Sequence, residues 1–200
     1  MTRSFEITWD YRCPFARIAH EHVLTGLAAG ADWDVTFRAF SLDQGHIDEG
    51  QPAAWEEPDR YPGGLANLAG IVVRDRFPDQ FRAVHGALFA ARHQSALDLR
   101  DRQILAKVLD EAGVDSSAVL AEVDAGWPLG VLADEHTDAV SRLSVFGVPT
   151  FIVGSDATFV RLMARPLGDG ALATATIDRI LDMIEGWPEL NEFKHTSISN

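Results

Sequence analysis

Apolar and polar side chains alternate along Phe5-Glu6-Ile7-Thr8-Trp9, the period of a strand with one face on a core and the other in water. The same period returns over Val35-Thr36-Phe37-Arg38-Ala39-Phe40. Between these segments Ile18, Val23, Leu24 and Leu27 fall at helical spacing behind Cys13-Pro14. Proline is preorganised for a first helical position, so Cys13 is predicted as the cap of a helix ending near Gly30. Strand, helix and strand from Phe5 to Phe40 then form a unit with parallel strands joined by a right-handed crossover.

Ser41 to Gly64, with Pro52, Pro58 and Pro62, reads as a loop. From Leu65 to about Asp124 the pattern is helical throughout. Pro78 starts one helix, Asp101 precedes another and Asp115 caps a third. Trp127-Pro128 opens a further helix running to about Val145. Thr150–Val153 and Thr158–Leu162 are predicted as antiparallel strands joined by Gly154-Ser155-Asp156-Ala157. Asp169-Gly170 opens a last helix carrying Leu172, Ile177, Ile180, Leu181 and Ile184. These elements predict one α/β domain split between residues 1–45 and 128–187, a helical insertion over 55–127 and a tail over 188–200. Gly63, Gly64 and Gly70 make no nucleotide fingerprint and read as turn residues, while Trp55, Tyr61 and Phe77 read as core.

Composition narrows the function classes. Thirty acids against 17 Lys and Arg give a net charge of −13 with no cluster of cations, which argues against a nucleic-acid partner. No apolar run approaches a membrane span, and Met1-Thr2-Arg3-Ser4 passes directly into the first strand without the apolar core of a signal peptide. The expectation is a cytoplasmic protein with no membrane partner. A single cysteine excludes an internal disulfide and supplies too few ligands for a thiolate metal site. His20 and His22 point to different faces of their helix, so no metal is expected, and each reads as a solvated or half-buried histidine.

A lone cysteine is more often a small buried hydrophobe than a reactive group. The strand, turn, Cys-Pro, helix context points the other way, because strand ends are where α/β sheets place ligands. A helix N-terminus offers unpaired N–H groups and the positive end of the dipole, both of which favour a thiolate. Arg12 is adjacent, Arg17 lies on the same helical face and Asp10 opposes them. The expectation is that Pro14, Arg12 and Arg17 stabilise a Cys13 thiolate, and that a mixed disulfide at such a sulfur is readily broken by a second thiol. Gly147-Val148-Pro149-Thr150-Phe151 places a proline at the first residue of a strand, one of the few positions a sheet tolerates.

The segment Trp9 to Ala16, the helical insertion, Gly147-Val148-Pro149-Thr150-Phe151, the hairpin and the final helix together resemble the DsbA-like thioredoxin superfamily, in particular its cytoplasmic FrnE-like branch. That resemblance implies a thioredoxin-like α/β fold with an inserted all-helical subdomain. It also implies a cis Pro149 whose loop faces Cys13, with Val148, Pro149 and Thr150 holding the substrate. The usual Cys-x-x-Cys becomes Cys13-Pro14-Phe15-Ala16 here, so the resolving cysteine is absent. What the resemblance leaves is monothiol thiol-disulfide exchange or disulfide isomerisation, with no tightly bound cofactor and with a low-molecular-weight thiol, glutathione or mycothiol, as co-substrate. Peptide or small-molecule disulfides are then the partners, and a homodimer stays open. Two alternatives stand beside it: a thiol-cofactor-dependent transferase or isomerase, as in the kappa-class glutathione transferases and hydroxychromene carboxylate isomerases, and a redox-inactive binding protein. The tail Trp187 to Lys194 is loosely similar to actinobacterial mycothiol-dependent members.

Overall fold

A computed structural model of the protein describes residues 2–195 apart from 49, 58, 60 and 61. Strand β1 (Arg3–Trp9), helix α1 (Pro14–Ala28) and strand β2 (Trp33–Ala39) form the expected unit, the strands parallel and paired from Arg3↔Trp33 to Trp9↔Ala39. Five helices follow: α2 (Leu65–Arg76), α3 (Pro78–His93), α4 (Arg102–Glu111), α5 (Ser116–Asp124) and α6 (Trp127–Leu143). Strands β3 (Thr150–Val153) and β4 (Asp156–Phe159) complete a four-stranded sheet of order β2-β1-β3-β4, and α7 (Gly170–Gly186) is the last helix among the described residues. Among the described residues no helix is long and apolar enough to cross a membrane.

The hairpin differs from its expected register. Val153 pairs with Asp156, so only Gly154 and Ser155 form the loop, with Gly154 at φ +61. A two-residue loop matches the twist of the flanking strands better than the four-residue turn expected from the polar run. The strand therefore ends at Phe159, and Val160 adds one last bond to the Pro149 carbonyl (3.2 Å). Arg161 and Leu162 leave the ladder.

Helices α1 and α7 pack on each other, and Arg3 of β1 pairs with Asp182 and Glu185 of α7. Phe5, Ile7, Trp9, Phe37 and Phe151 from the sheet join Phe81, Val84, Leu88 and Phe89 of α3 in one continuous apolar cluster. The helical insertion is thus seated on the sheet's own core through α3. Helix α6 packs on α2 and α5 and also on β2, bridging the two parts. Tyr61 and Pro58 lie outside the described residues. Trp55 and Phe77 are half-buried.

Candidate functional site

The turn between β1 and α1 is built around Asp10, which is fully buried. One carboxylate oxygen accepts from the Arg12 backbone N–H (2.9 Å) and Nε (3.1 Å), the other from Arg12 Nη2 (2.8 Å) and the Leu42 N–H (2.9 Å). The Asp10 carbonyl accepts from the Cys13 N–H at 3.0 Å. A buried carboxylate is retained only when its lone pairs are met in this way. Arg12 reaches on to Asp43, so its guanidinium is shared between two carboxylates.

Cys13 is the N-cap of α1, with Pro14 at the first helical position. Its Sγ accepts from the Ala16 N–H at 3.4 Å and donates its S–H to the Val148 carbonyl at 3.3 Å. The Val148–Pro149 bond is cis. The sulfur and the proline loop, far apart in sequence, therefore lie in contact, and 9% of Cys13 remains exposed. Val148 and Pro149 are buried. Thr150 is committed to the loop itself: its Oγ1 donates to the Gly147 carbonyl (2.8 Å) and its N–H to Thr8 Oγ1 (2.9 Å).

The electrostatics depart from expectation. Burial pushes the Cys13 thiol up, outweighing the Ala16 and Phe15 N–H groups that pull it down, and Asp10 adds to the rise. Arg12 and Arg17 are engaged elsewhere. Arg17 donates to Glu21 Oε1 (2.8 Å), four residues along its helix, and to Gln94 Oε1 (3.1 Å). The cation that favours the thiolate is Arg161, from the segment beyond β4. The sulfur is placed to donate to the Val148 carbonyl, and the cations nearby in sequence are turned to carboxylates instead.

Tyr11, two residues before the cysteine, is gripped by the insertion. Its N–H donates to Asn67 Oδ1 (3.2 Å) and its carbonyl accepts from His93 Nε2 (2.8 Å). Its hydroxyl ends a buried chain. The Thr8 carbonyl can only accept, so His20 Nε2 donates to it (3.0 Å). His20 Nδ1 then accepts from His85 Nε2 (2.9 Å), and His85 Nδ1 from the Tyr11 O–H (2.7 Å). Gly70 lies within α2 rather than in a turn, and it is glycine there because a Cβ would sit 2.6 Å from the Tyr11 hydroxyl oxygen. His20 and His22 are both buried, not solvated. Among the described residues no group of His, Cys, Asp and Glu is arranged to hold a metal ion. A cleft of about 390 Å³ opens beside the turn, reaching Tyr11, Arg12, Asp43, Arg92 and Arg100 but not the sulfur.

Both chain histidines must stay neutral for these bonds to form, and burial lowers His20 to about 4 and His85 well below its ordinary value. Well above pH 6.5 each is neutral folded and unfolded, so neither affects stability there. As pH falls below 6.5 the unfolded chain takes up the protons first, and stability is lost until the folded values are reached. From pH 7 to pH 5 the loss is about 2 kcal/mol for His20, with His85 adding in the same direction. Urea unfolding at the two pH values measures it, and equal stabilities would contradict a neutral buried pair.

The model of the DSBA-like thioredoxin domain matches residues 6–166, most of the chain and both halves of this site. The chain belongs to the DSBA-like thioredoxin family. Solved structures share its fold at low identity. The oxidoreductase NmDsbA1 from N. meningitidis matches with TM-score 0.58 and 16% identity, over 94% of this chain and 86% of that one. The cytosolic disulfide reductase DsbM from Pseudomonas aeruginosa, solved with GSH, gives 0.59 and 15%, over 89% and 98%. A 2-hydroxychromene-2-carboxylate isomerase gives 0.61 and 16%, over 94% and 100%. No curated protein matches. Within this DSBA-like frame, sequence reasoning missed His85 and Arg161. A signal for His85 was present, since it interrupts the apolar face Phe81, Val84, Leu88 of α3.

Proposed function

We propose that this DSBA-like chain is a monothiol thiol-disulfide oxidoreductase in which Cys13 forms a mixed disulfide that an external thiol resolves. The supporting observation is the Cys13 Sγ lodged between the Ala16 N–H and the Val148 carbonyl of the cis-proline loop. The thiol first loses its proton to solvent. The thiolate then attacks one sulfur of RS–SR, forming Cys13–S–S–R and expelling RS⁻. A second thiolate R′S⁻ attacks the R sulfur, giving R–S–S–R′ and restoring the Cys13 thiolate, so electrons and sulfurs balance. Glutathione or mycothiol would serve as R′SH, and a small molecule or peptide as the disulfide. A single cysteine fits a reducing compartment, which supports a cytoplasmic setting for this chemistry.

The raised thiol pKa shapes this cycle. Each unit of rise cuts the thiolate population about tenfold near neutral pH but returns about threefold in nucleophilicity. Attack is slowed modestly, whereas departure of Cys13 is slowed too, so the mixed disulfide outlives that of a strongly acidic cysteine. The test is glutathione-dependent reduction of bis-hydroxyethyl disulfide, followed through glutathione reductase and NADPH. Turnover is expected to climb with pH through and above the ordinary thiol range, and Cys13→Ala is expected to abolish it. A rate independent of pH above neutrality would contradict the buried thiol.

A second reading draws on the same S–H donor. If a bound low-molecular-weight thiolate is the nucleophile, Cys13 only hydrogen-bonds it, and an electrophile is the substrate. Cys13→Ser separates the two, since a hydroxyl preserves hydrogen bonding but forms no mixed disulfide. Retained turnover in that variant favours the transferase or isomerase reading, and loss favours exchange. Absence of both activities in the unaltered chain favours a binding protein.

A further inference from the structure

Arg161 stands just past the end of β4, where the chain leaves the sheet. Its guanidinium carbon lies 4.6 Å from the ring centre of Phe15 and 5.7 Å from that of Phe159. Phe15 is two residues from Cys13 on α1, and Phe159 is in ring contact with Phe146 (5.2 Å), which is 77% exposed. The two rings that hold Arg161 come from different elements, one on the cysteine helix and one on the hairpin. A guanidinium stacked on aromatic faces keeps its N–H donors in its own plane, free for an acceptor. Among the described residues no carboxylate is paired with it, although the chain carries 30 acids. Arg12 and Arg17, the arginines nearest Cys13 in sequence, are by contrast held by acids. An exposed cation left unpaired on so acidic a protein, beside its one sulfur, points to an anion brought by the partner.

Resting on the proposed exchange reaction, we infer that Arg161 is the residue that selects carboxylate-bearing disulfides and thiols at Cys13, with Phe15, Phe146 and Phe159 covering the apolar part of the partner. The net charge of −13 repels anions from a distance, so a preference for an anionic partner has to arise from this local contact. The selection favours glutathione, which carries carboxylates, over mycothiol, whose sugar-linked cysteine carries none.

The test compares rates of mixed-disulfide formation at Cys13 for three aliphatic disulfides: dithiodipropionate, which is dianionic, bis-hydroxyethyl disulfide, which is neutral, and cystamine, which is dicationic. Arg161 also favours the thiolate, and that influence is the same for every disulfide, so the ratio of the anionic to the neutral rate cancels it. The unaltered protein is expected to prefer dithiodipropionate. Arg161→Gln is expected to cut the anionic-to-neutral ratio about five- to tenfold, with the change reversed in sign for cystamine. Arg161→Lys, which keeps the charge but loses the planar fork, is expected to retain most of the preference. An unchanged ratio in Arg161→Gln overturns the inference while leaving exchange at Cys13 standing. Failure of all three disulfides to react with the unaltered protein, even at raised pH, removes the exchange reading and this inference with it.

Discussion

Ala16→Cys is expected to abolish the persistent mixed disulfide and convert the protein from a monothiol to a dithiol exchanger. Ala16 is fully buried, and its N–H lies 3.4 Å from the Cys13 sulfur in the same helical turn. A thiolate introduced there attacks Cys13–S–S–R at the Cys13 sulfur, closes an internal disulfide and expels RS⁻. Intact-mass analysis after treatment with oxidised glutathione should therefore shift from a stable adduct to a species two hydrogen atoms lighter than the reduced variant. Ala16→Ser, similar in size but unable to form the bridge, should keep the adduct. The added sulfur costs about 1–3 kcal/mol through overpacking at a fully buried position. An Ala16→Cys protein that still accumulates the adduct would show that the two positions do not face each other as the structure has them.

The largest expected loss of stability is at Asp10→Ala. The buried carboxylate satisfies Arg12 and the Leu42 N–H, so its removal strands a part-buried guanidinium and an amide donor together. Breaking a buried pair from one side costs about 3–5 kcal/mol, and the Asp43 contact to Arg12 keeps this case toward the lower end. Denaturant unfolding should register it. A double variant, Asp10→Ala with Arg12→Ala, should be less destabilised than the two single changes added together, because no charge is then left behind. A loss under 1 kcal/mol would contradict the place given to Asp10 at the centre of the turn.

How far the sequence reveals this molecule depends on how local each cause is. The β1-α1-β2 unit is legible because alternation over Phe5–Trp9 and Val35–Phe40 is a property of neighbouring residues. The cap at Cys13 is legible for the same reason, from Pro14 and the apolar spacing behind it. The hairpin is displaced because Asp156 and Ala157 look like turn residues, while their pairing with Val153 and Ile152 is decided across the sheet. The thiol's protonation state is less legible still. It depends on burial and on a carbonyl at Val148, whereas sequence proximity draws attention to Arg12 and Arg17. The commitment of Arg17 could have been read from Glu21, one helical turn away, but that of Arg12 to Asp43 crosses a loop. Arg161 becomes visible only when α1 and the hairpin are brought together.

The account turns on whether the Cys13 sulfur, sitting against the cis-proline loop, is open to exchange. Intact-protein mass spectrometry after incubation with oxidised glutathione, at neutral pH and again two units higher, addresses it directly. The predicted result is one adduct per chain, mapped to the Cys13 peptide, forming markedly faster at the higher pH and removed completely by dithiothreitol. A sulfur that takes up no glutathione at either pH, while iodoacetamide labels it only after unfolding, would contradict the account.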